Sequence, residues 1–560
     1  MPTISSTDLT AANFSSFHYC VTAVAAVGII LALFSEDAAL GSLRLSWIAN
    51  EFLPMPQTKL HSKDLEQTWK RVLNGTSLYQ SIVLLLAEIS AAAASGQILH
   101  LLHSKYSKIL SMVRFYFDLI ALKRAATSQQ HVLYLLEKKI HNLEIKKGES
   151  EMTSYLDAKR HMKEKKVWPF MLDVTCVKEK HVMCNGMRAL TMSSYSYLNF
   201  IREMEVQEAA IAAAREYSTG NHGPRMLGGS SKILRDLELS VGKFFGREDS
   251  LIFATGYLAC MSGVSAVCRK NDLILCDNRI HASLRVGVKI SGGKYLNFRH
   301  NDFHHCRKLL EKNRKKYSQC WIIIESVYSM DGDIADLPSA YELTQEYDCK
   351  IILDEAHGLG VLGKTGRGIE EHFNMVGTCE MIVGTFSKSI GGIGGYITGS
   401  EDLVEFLDFH TAGNLFSAPL TAYSAGGALK ALEIILRDPW RVSKLKENIS
   451  YFRGVIGSSD YLWPKDYPEK NKFLMEGCSE SAVIPVIFPG GLDRVFRLSL
   501  RMLELGFMVA PVGFPACPLD KPRLRVTATA GHEKADMDNF VVALVRAAVD
   551  CKPGKADFGM

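Results

Sequence analysis

Residues 383–392, Val-Gly-Thr-Phe-Ser-Lys-Ser-Ile-Gly-Gly, set Lys388 among small hydroxyl residues and glycines just after the apolar run 381–383. A lysine placed this way suits a Schiff base with an aldehyde cofactor. Desolvation helps the amine shed its proton, and adjacent hydroxyls and backbone amides can hold a phosphate. A lysine after a strand is by itself an ordinary surface residue, so its meaning depends on its company. Asp354-Glu-Ala-His357 follows the apolar run 350–353. A carboxylate there can keep a pyridine nitrogen protonated and turn the ring into an electron sink, and His357 can reach a phenolic oxygen of the same ring. Standing alone, the pair would be a helix cap with a structural histidine. Asp277-Asn-Arg-Ile-His281-Ala-Ser283 offers an imidazole that could stack on a flat heterocycle. Thr255-Gly256-Tyr257 opens a helix after a strand and supplies backbone amides for an anion, and Ser417 in 416–420 could add a hydroxyl. The glycines of 391–395 are no dinucleotide fingerprint, because the spacing G-x-G-x-x-G is not met and a strand follows.

The elements that must position these groups are legible as apolar runs at 250–254, 272–276, 321–325, 350–354 and 381–384, alternating with helical patterns. Such runs suit strands buried on both faces of a mainly parallel sheet, in which ligands collect outside the carboxyl ends. This predicts an α/β large domain, with its N-terminal segment, over 166–435. Residues 436–552 carry an Arg/Lys-rich helix, the run 482–488, a helix near 492–505 and the run 523–529, and read as a smaller α+β domain.

Composition adds limits. Lys plus Arg number 65 against 60 Asp plus Glu, a net charge of +5, and nothing in that balance calls for nucleic acid. The 13 cysteines include no C-x-x-C pair, which points to free thiols in a reducing compartment and no metal site. Residues 9–35 carry no formal charge and predict one N-terminal membrane anchor at about 17–35. A cleaved signal peptide lacks its basic start here, and a buried apolar helix is the remaining alternative. Arg44, Lys59 and Lys63 beyond the anchor put the bulk of the chain in the cytosol. Residues 36–165 read as helical and without chemistry. Within them 78–102 could be a second membrane segment, although Glu88 suits a packed helix as well.

The order and content of the motifs resemble those of the α-oxoamine synthases, which condense an amino acid with an acyl-CoA. The carrying segments are 196–200, Tyr217-Ser-Thr-Gly-Asn-His-Gly-Pro-Arg225, Ala254-Thr-Gly-Tyr257, His281-Ala-Ser283, His300-Asn-Asp302, 325–333, 354–363, Gly366-Arg-Gly368, Thr385-Phe-Ser-Lys388 and 525–532. The resemblance covers about 166–550 and implies pyridoxal 5'-phosphate and a fold type I architecture: a mainly parallel seven-stranded sheet with a smaller C-terminal domain. It further implies that Lys388 forms the Schiff base, Asp354 pairs the ring nitrogen, His357 contacts the ring hydroxyl and His281 stacks on the ring. Thr255, Gly256, Tyr257, Ser329 and Thr385 would complete the cofactor site, with Ser417 reaching the phosphate from a neighbouring subunit. Arg525 would bind the substrate carboxylate, with Arg523 as its rival, and Tyr197 would also touch substrate. One departure is Leu234, which stands where the family's H-x-x-x-E pattern before Glu238 has histidine. Within the family the chain is most similar to the membrane-anchored members that condense L-serine with palmitoyl-CoA to 3-ketodihydrosphingosine, the first step of sphingolipid synthesis. Such an enzyme is expected at the endoplasmic reticulum, as a homodimer or as a heterodimer with a related subunit. The alternatives are a synthase using glycine or alanine and a non-catalytic regulatory subunit.

Overall fold

The computed structural model describes residues 159–160, 163–164, 168–178 and 180–553. The expected anchor, the segment 78–102 and all of the helical region 36–165 except 159–160 and 163–164 lie outside the described residues. Among those described, no helix is long and apolar enough to cross a membrane.

The chain enters through β1 (Val174–Lys178), β2 (His181–Cys184) and β3 (Met187–Thr191), paired antiparallel. Asn185 and Gly186, both at positive φ, form the two-residue loop between β2 and β3, the backbone twist that such a hairpin requires. Then come β4 (Asp249–Phe253), β5 (Leu273–Asp277), β6 (Lys294–Phe298), β7 (Cys320–Glu325), β8 (Lys350–Asp354), β9 (Met381–Thr385) and β10 (Gly395–Gly399), in the sheet order β4-β10-β9-β8-β7-β5-β6. Only β10 runs antiparallel to its neighbours. All five apolar runs are strands of this sheet, and the expected seven-stranded, mainly parallel architecture is present.

The sheet is buried on both faces. Side chains alternate between faces along a strand, so Ile322, Ile324, Ile351, Leu353 and Ile382 join one hydrophobic cluster while Trp321, Ile323, Ile352, Met381 and Val383 join another. The edge strand β6 carries no apolar run. Its Lys-Tyr-Leu-Asn-Phe sequence is largely solvent-facing, so no burial pattern marks it.

Beyond the sheet, helices Trp440–Gly457, Gly491–Glu504 and Lys534–Asp550 accompany a second antiparallel sheet. It contains β11 (Leu474–Met475), β12 (Val483–Ile487), β14 (Ala510–Val512) and β15 (Arg523–Thr527), in the order β11-β12-β15-β14. The intervening β13 (Phe507–Met508) pairs in parallel with β3 instead. Leu234, the departure from the family pattern, is buried in the core, and Glu238 takes its partner from elsewhere: Arg225 of the Gly-Pro-Arg segment forks onto both its carboxylate oxygens.

The junction of β10 with the helix Gly256–Val267 leaves no room for a side chain. A Cβ on Gly395 would lie 2.5 Å from the Cα of Gly256 and 2.6 Å from the carbonyl oxygen of Thr255. Gly395→Ala should therefore displace that loop and destabilise the protein by about 1–3 kcal/mol, read as a lower denaturation midpoint at unchanged slope.

Candidate active site

The carboxyl ends of β7, β8 and β9 face one hollow. In the register of these strands Glu325 stands beside Asp354, and Asp354 beside Val383, two residues before the end of β9. Lys388 follows in the turn after β9 and is half-buried. Burial pushes its amine down to about 8 against the opposing pull of Asp354 and Glu325. The amine therefore gives up its proton more readily than an ordinary lysine, as a Schiff-base lysine must.

Asp354 is 4% exposed, with the N–H of Ala356 donating to Oδ1 at 2.9 Å and the thiol of Cys260 donating to Oδ2 at 3.7 Å. Among the described residues no lysine or arginine forms an ion pair with it. A buried carboxylate without a cation is costly, and a protonated ring nitrogen is the kind of group that would complete it. Glu325 is also buried, and its Oε1 has no hydrogen-bond partner. Burial first, and the Asp354 charge second, push its carboxyl well above the usual range, so it stays neutral.

His357 is buried, and burial, with the nearby Lys388 and Arg525 charges, pushes it well below the usual imidazole range. The Tyr197 hydroxyl donates to its Nδ1 at 2.8 Å and accepts from Nη2 of Arg525 at 3.3 Å. The neutral imidazole then keeps its proton on Nε2, where it can donate to a phenolic oxygen. Burial likewise lowers His281, whose Nδ1 lies 2.7 Å from the hydroxyl of Ser283.

Thr255 caps the helix Gly256–Val267 by accepting the N–H of Leu258 at 3.1 Å, which leaves the N–H groups of Gly256 and Tyr257 at the helix start for an anion. Thr385 lies beside this turn, where a Cβ on Gly256 would sit 2.8 Å from its hydroxyl oxygen. That hydroxyl donates to the carbonyl of Gly394 at 2.8 Å and lies 2.8 Å from the hydroxyl of exposed Ser387. A cradle of backbone amides and hydroxyls is thus present where the sequence predicts a phosphate site, with Ser387 as an added member. Tyr257 stands edge-on to His281 at 6.2 Å. Ser417 makes only a 3.3 Å contact to the carbonyl of Ala418 within this chain and joins none of the groups around Lys388.

The two candidate arginines of β15 separate cleanly. Arg523 donates to Asp331 at 3.0 Å and to the carbonyl of Met330 at 2.9 Å, so its charge is spent. Arg525 donates to the carbonyl of Ser329 at 2.7 Å and to Tyr197, and among the described residues no carboxylate pairs with it. Ser329 thus meets the site through its backbone. Tyr195, which the sequence reading left out, gathers both cations: its ring centroid is 4.4 Å from the Arg525 guanidinium carbon and 5.9 Å from the Lys388 amine. Tyr195 and Tyr197 lie in a turn, where the N–H of Tyr197 donates to the carbonyl of Tyr195 at 2.8 Å, so no strand or helix period marks the pair in the sequence. Cys260, Glu325 and Ser387 were missed for want of any pattern of their own.

Beside the site His300 bridges two acids, with Nδ1 3.0 Å from Asp277 and Nε2 2.5 Å from Asp333. Burial opposes its charge, but the hydrogen bonds to both carboxylates prevail and raise it to about 9.

Comparison with known proteins agrees with this arrangement. The family described as aminotransferase class I and II matches residues 188–544. A serine palmitoyltransferase of Sphingobacterium spiritivorum is 31% identical over 71% of this chain and 96% of its own. A putative 8-amino-7-oxononanoate synthase of Acaryochloris marina is 33% identical over 65% of this chain and 90% of its own. Among solved structures, a serine palmitoyltransferase from S. paucimobilis with bound PLP–myriocin aldimine shares the fold, with a TM-score of 0.67 at 23% identity over 72% of this chain and 98% of that one.

The His300 bridge has a defined pH signature. Its pKa rises from 6.5 to about 9 on folding, so its stabilisation is complete below about pH 6.5 and fades as pH climbs through 9. Denaturation followed from pH 6 to 10 should show this loss, and His300→Gln should flatten it.

Proposed function

The chain belongs to the aminotransferase class I and II family, and from that premise we propose that it joins L-serine to palmitoyl-CoA. The products are 3-ketodihydrosphingosine, coenzyme A and carbon dioxide. The chain is a pyridoxal-phosphate-dependent α-oxoamine synthase, and the serine and palmitoyl specificity is the proposed part, supported by the relative of that name. The observation that carries the reading is that the Lys388 amine, suited to hold the cofactor, and the acid-free Arg525, suited to hold an amino-acid carboxylate, meet on the Tyr195 ring.

When bound, pyridoxal phosphate supplies a carbonyl that captures amines and a ring that takes up the electrons of a broken substrate bond. The chain's own residues do the rest. Asp354 would hold the proton on the ring nitrogen, and His357 would donate from Nε2 to the phenolic oxygen. Arg525 fixes the substrate carboxylate with charge-assisted hydrogen bonds, and Tyr197 holds Arg525 and His357 in register through one hydroxyl. Lys388, with its amine near 8, can take a proton at Nζ and return it at neutral pH. His281, kept neutral by burial, presents a flat uncharged face. The presence of Lys388, Asp354 and His357 together argues against a purely regulatory chain. The reading further includes a membrane anchor at about 17–35, a cytosolic site at the endoplasmic reticulum and a homodimer or a heterodimer with a related subunit, all on the strength of sequence alone.

Lys388→Ala should abolish both the cofactor-linked visible absorbance and turnover; turnover without it would sink the reading. Arg525→Lys should raise the KM for serine by about 10- to 100-fold, the loss of one charge-assisted hydrogen bond, at nearly unchanged stability. Assayed with acyl-CoAs of graded length, the enzyme should prefer serine over glycine and alanine, and palmitoyl over short acyl groups.

A further inference from the structure

His281 and Asp354 approach the same hollow from different elements, and each is held by a buried side chain. Cys260, on the helix Gly256–Val267 and 3% exposed, donates its thiol to Oδ2 of Asp354 at 3.7 Å, within reach for a sulfur donor. Ser283, in the first turn of the helix Ala282–Ser291 and 1% exposed, lies with its hydroxyl 2.7 Å and its backbone nitrogen 3.3 Å from Nδ1 of His281. Cys260 and Ser283 stand on these two facing helices, each turned to its own partner in the hollow. The two helices come this close because Gly287 has no side chain; a Cβ there would lie 2.8 Å from the carbonyl oxygen of Met261 and 2.9 Å from the Cβ of Val264. Burial, and then the Asp354 charge, push the Cys260 thiol well above its ordinary range, so it remains an S–H donor. The backbone N–H of Ser283 can only donate, which makes Nδ1 of His281 an acceptor and leaves the proton of the neutral ring on Nε2.

We propose that Cys260 and Ser283 are positioning residues on two closely packed helices that act as one brace, Ser283 fixing the imidazole tautomer of His281 and Cys260 fixing the carboxylate of Asp354 toward the cofactor ring. Without the thiol donor the Asp354 side chain keeps only the Ala356 N–H and is less firmly placed. Without the Ser283 hydroxyl the imidazole loses its shorter tether. Neither residue touches the reacting atoms. The inference rests on pyridoxal phosphate being bound by Lys388.

The test uses the full-length protein loaded with pyridoxal phosphate. Two quantities are read: the cofactor dissociation constant and the midpoint of the pH titration of the cofactor's visible absorbance. Cys260→Ala should weaken cofactor binding about five- to tenfold, as expected for one modest hydrogen bond, and move the midpoint. Cys260→Ser, which restores a donor of similar size, should stay within about twofold of the parent in both readouts. Ser283→Ala should shift both in the same direction, and the double alanine variant should be no worse than the stronger single, because the two residues act as one unit. The proposal is overturned if Cys260→Ala leaves both readouts unchanged, if Cys260→Ser behaves like the alanine variant, or if the single effects multiply in the double. Absence of any cofactor absorbance in the parent protein would instead overturn the assignment of Lys388.

Discussion

Burying an amine beside a carboxylate sets two forces against each other. Desolvation favours the neutral amine, and attraction to the acid favours the ion pair. At Lys388 desolvation prevails by a modest margin and holds the amine at about 8. The rest of the hollow is arranged around that balance. If Glu325 were ionised as well as Asp354, the amine would be held as a cation. Glu325 stays neutral because it is fully enclosed next to a like charge. If Arg525 were paired with an acid, as Arg523 is with Asp331, it would have nothing to offer a substrate carboxylate and its field would no longer help to lower Lys388.

This arrangement needs rigid placement, and the sheet supplies it. Three neighbouring parallel strands in register fix the spacing of their carboxyl ends, and burial on both faces locks them. Glu325 and Asp354 are thus set by backbone geometry at strand ends. The groups proposed to meet the substrate come from elsewhere: Tyr195 and Tyr197 from the turn after β3, and Arg525 from β15. The proposed cofactor-facing and substrate-facing walls therefore come from separate parts of the fold.

Much of the first wall is legible in the sequence, because strands buried on both faces need unbroken apolar runs and leave their functional residues at the run's end. Asp354 and Lys388 announce themselves that way. β6 does not, since an edge strand facing water needs no such run. The choice between Arg523 and Arg525 cannot be read from β15 alone, where they share a face; it is made by Asp331 in a distant loop. Cys260 is invisible for a similar reason. Its thiol has meaning only because two helices approach closely at Gly287, and no local pattern records a meeting between helices. The resemblance to a known family put Arg525 and His281 among the candidates, while the tautomers of His281 and His357 depend on contacts that only the folded chain makes.

The pairing of β3 with β13 has a consequence for how the protein is made. β3 ends at Thr191, and the next residue, Met192, donates to the carbonyl of Met508 and accepts from the N–H of Thr527, both at 2.8 Å. Tyr197 accepts from the N–H of Ala530 at the same distance. These links span more than half the chain, a high contact order that slows folding. A growing chain can complete the seven-stranded sheet once residue 399 has been synthesised, but the tyrosine wall has nothing to lean on until the last strand, β15, emerges. On the ribosome the cofactor-facing wall can therefore be built well before the substrate-facing one, and a chain truncated ahead of β15 would keep the first and lack the second.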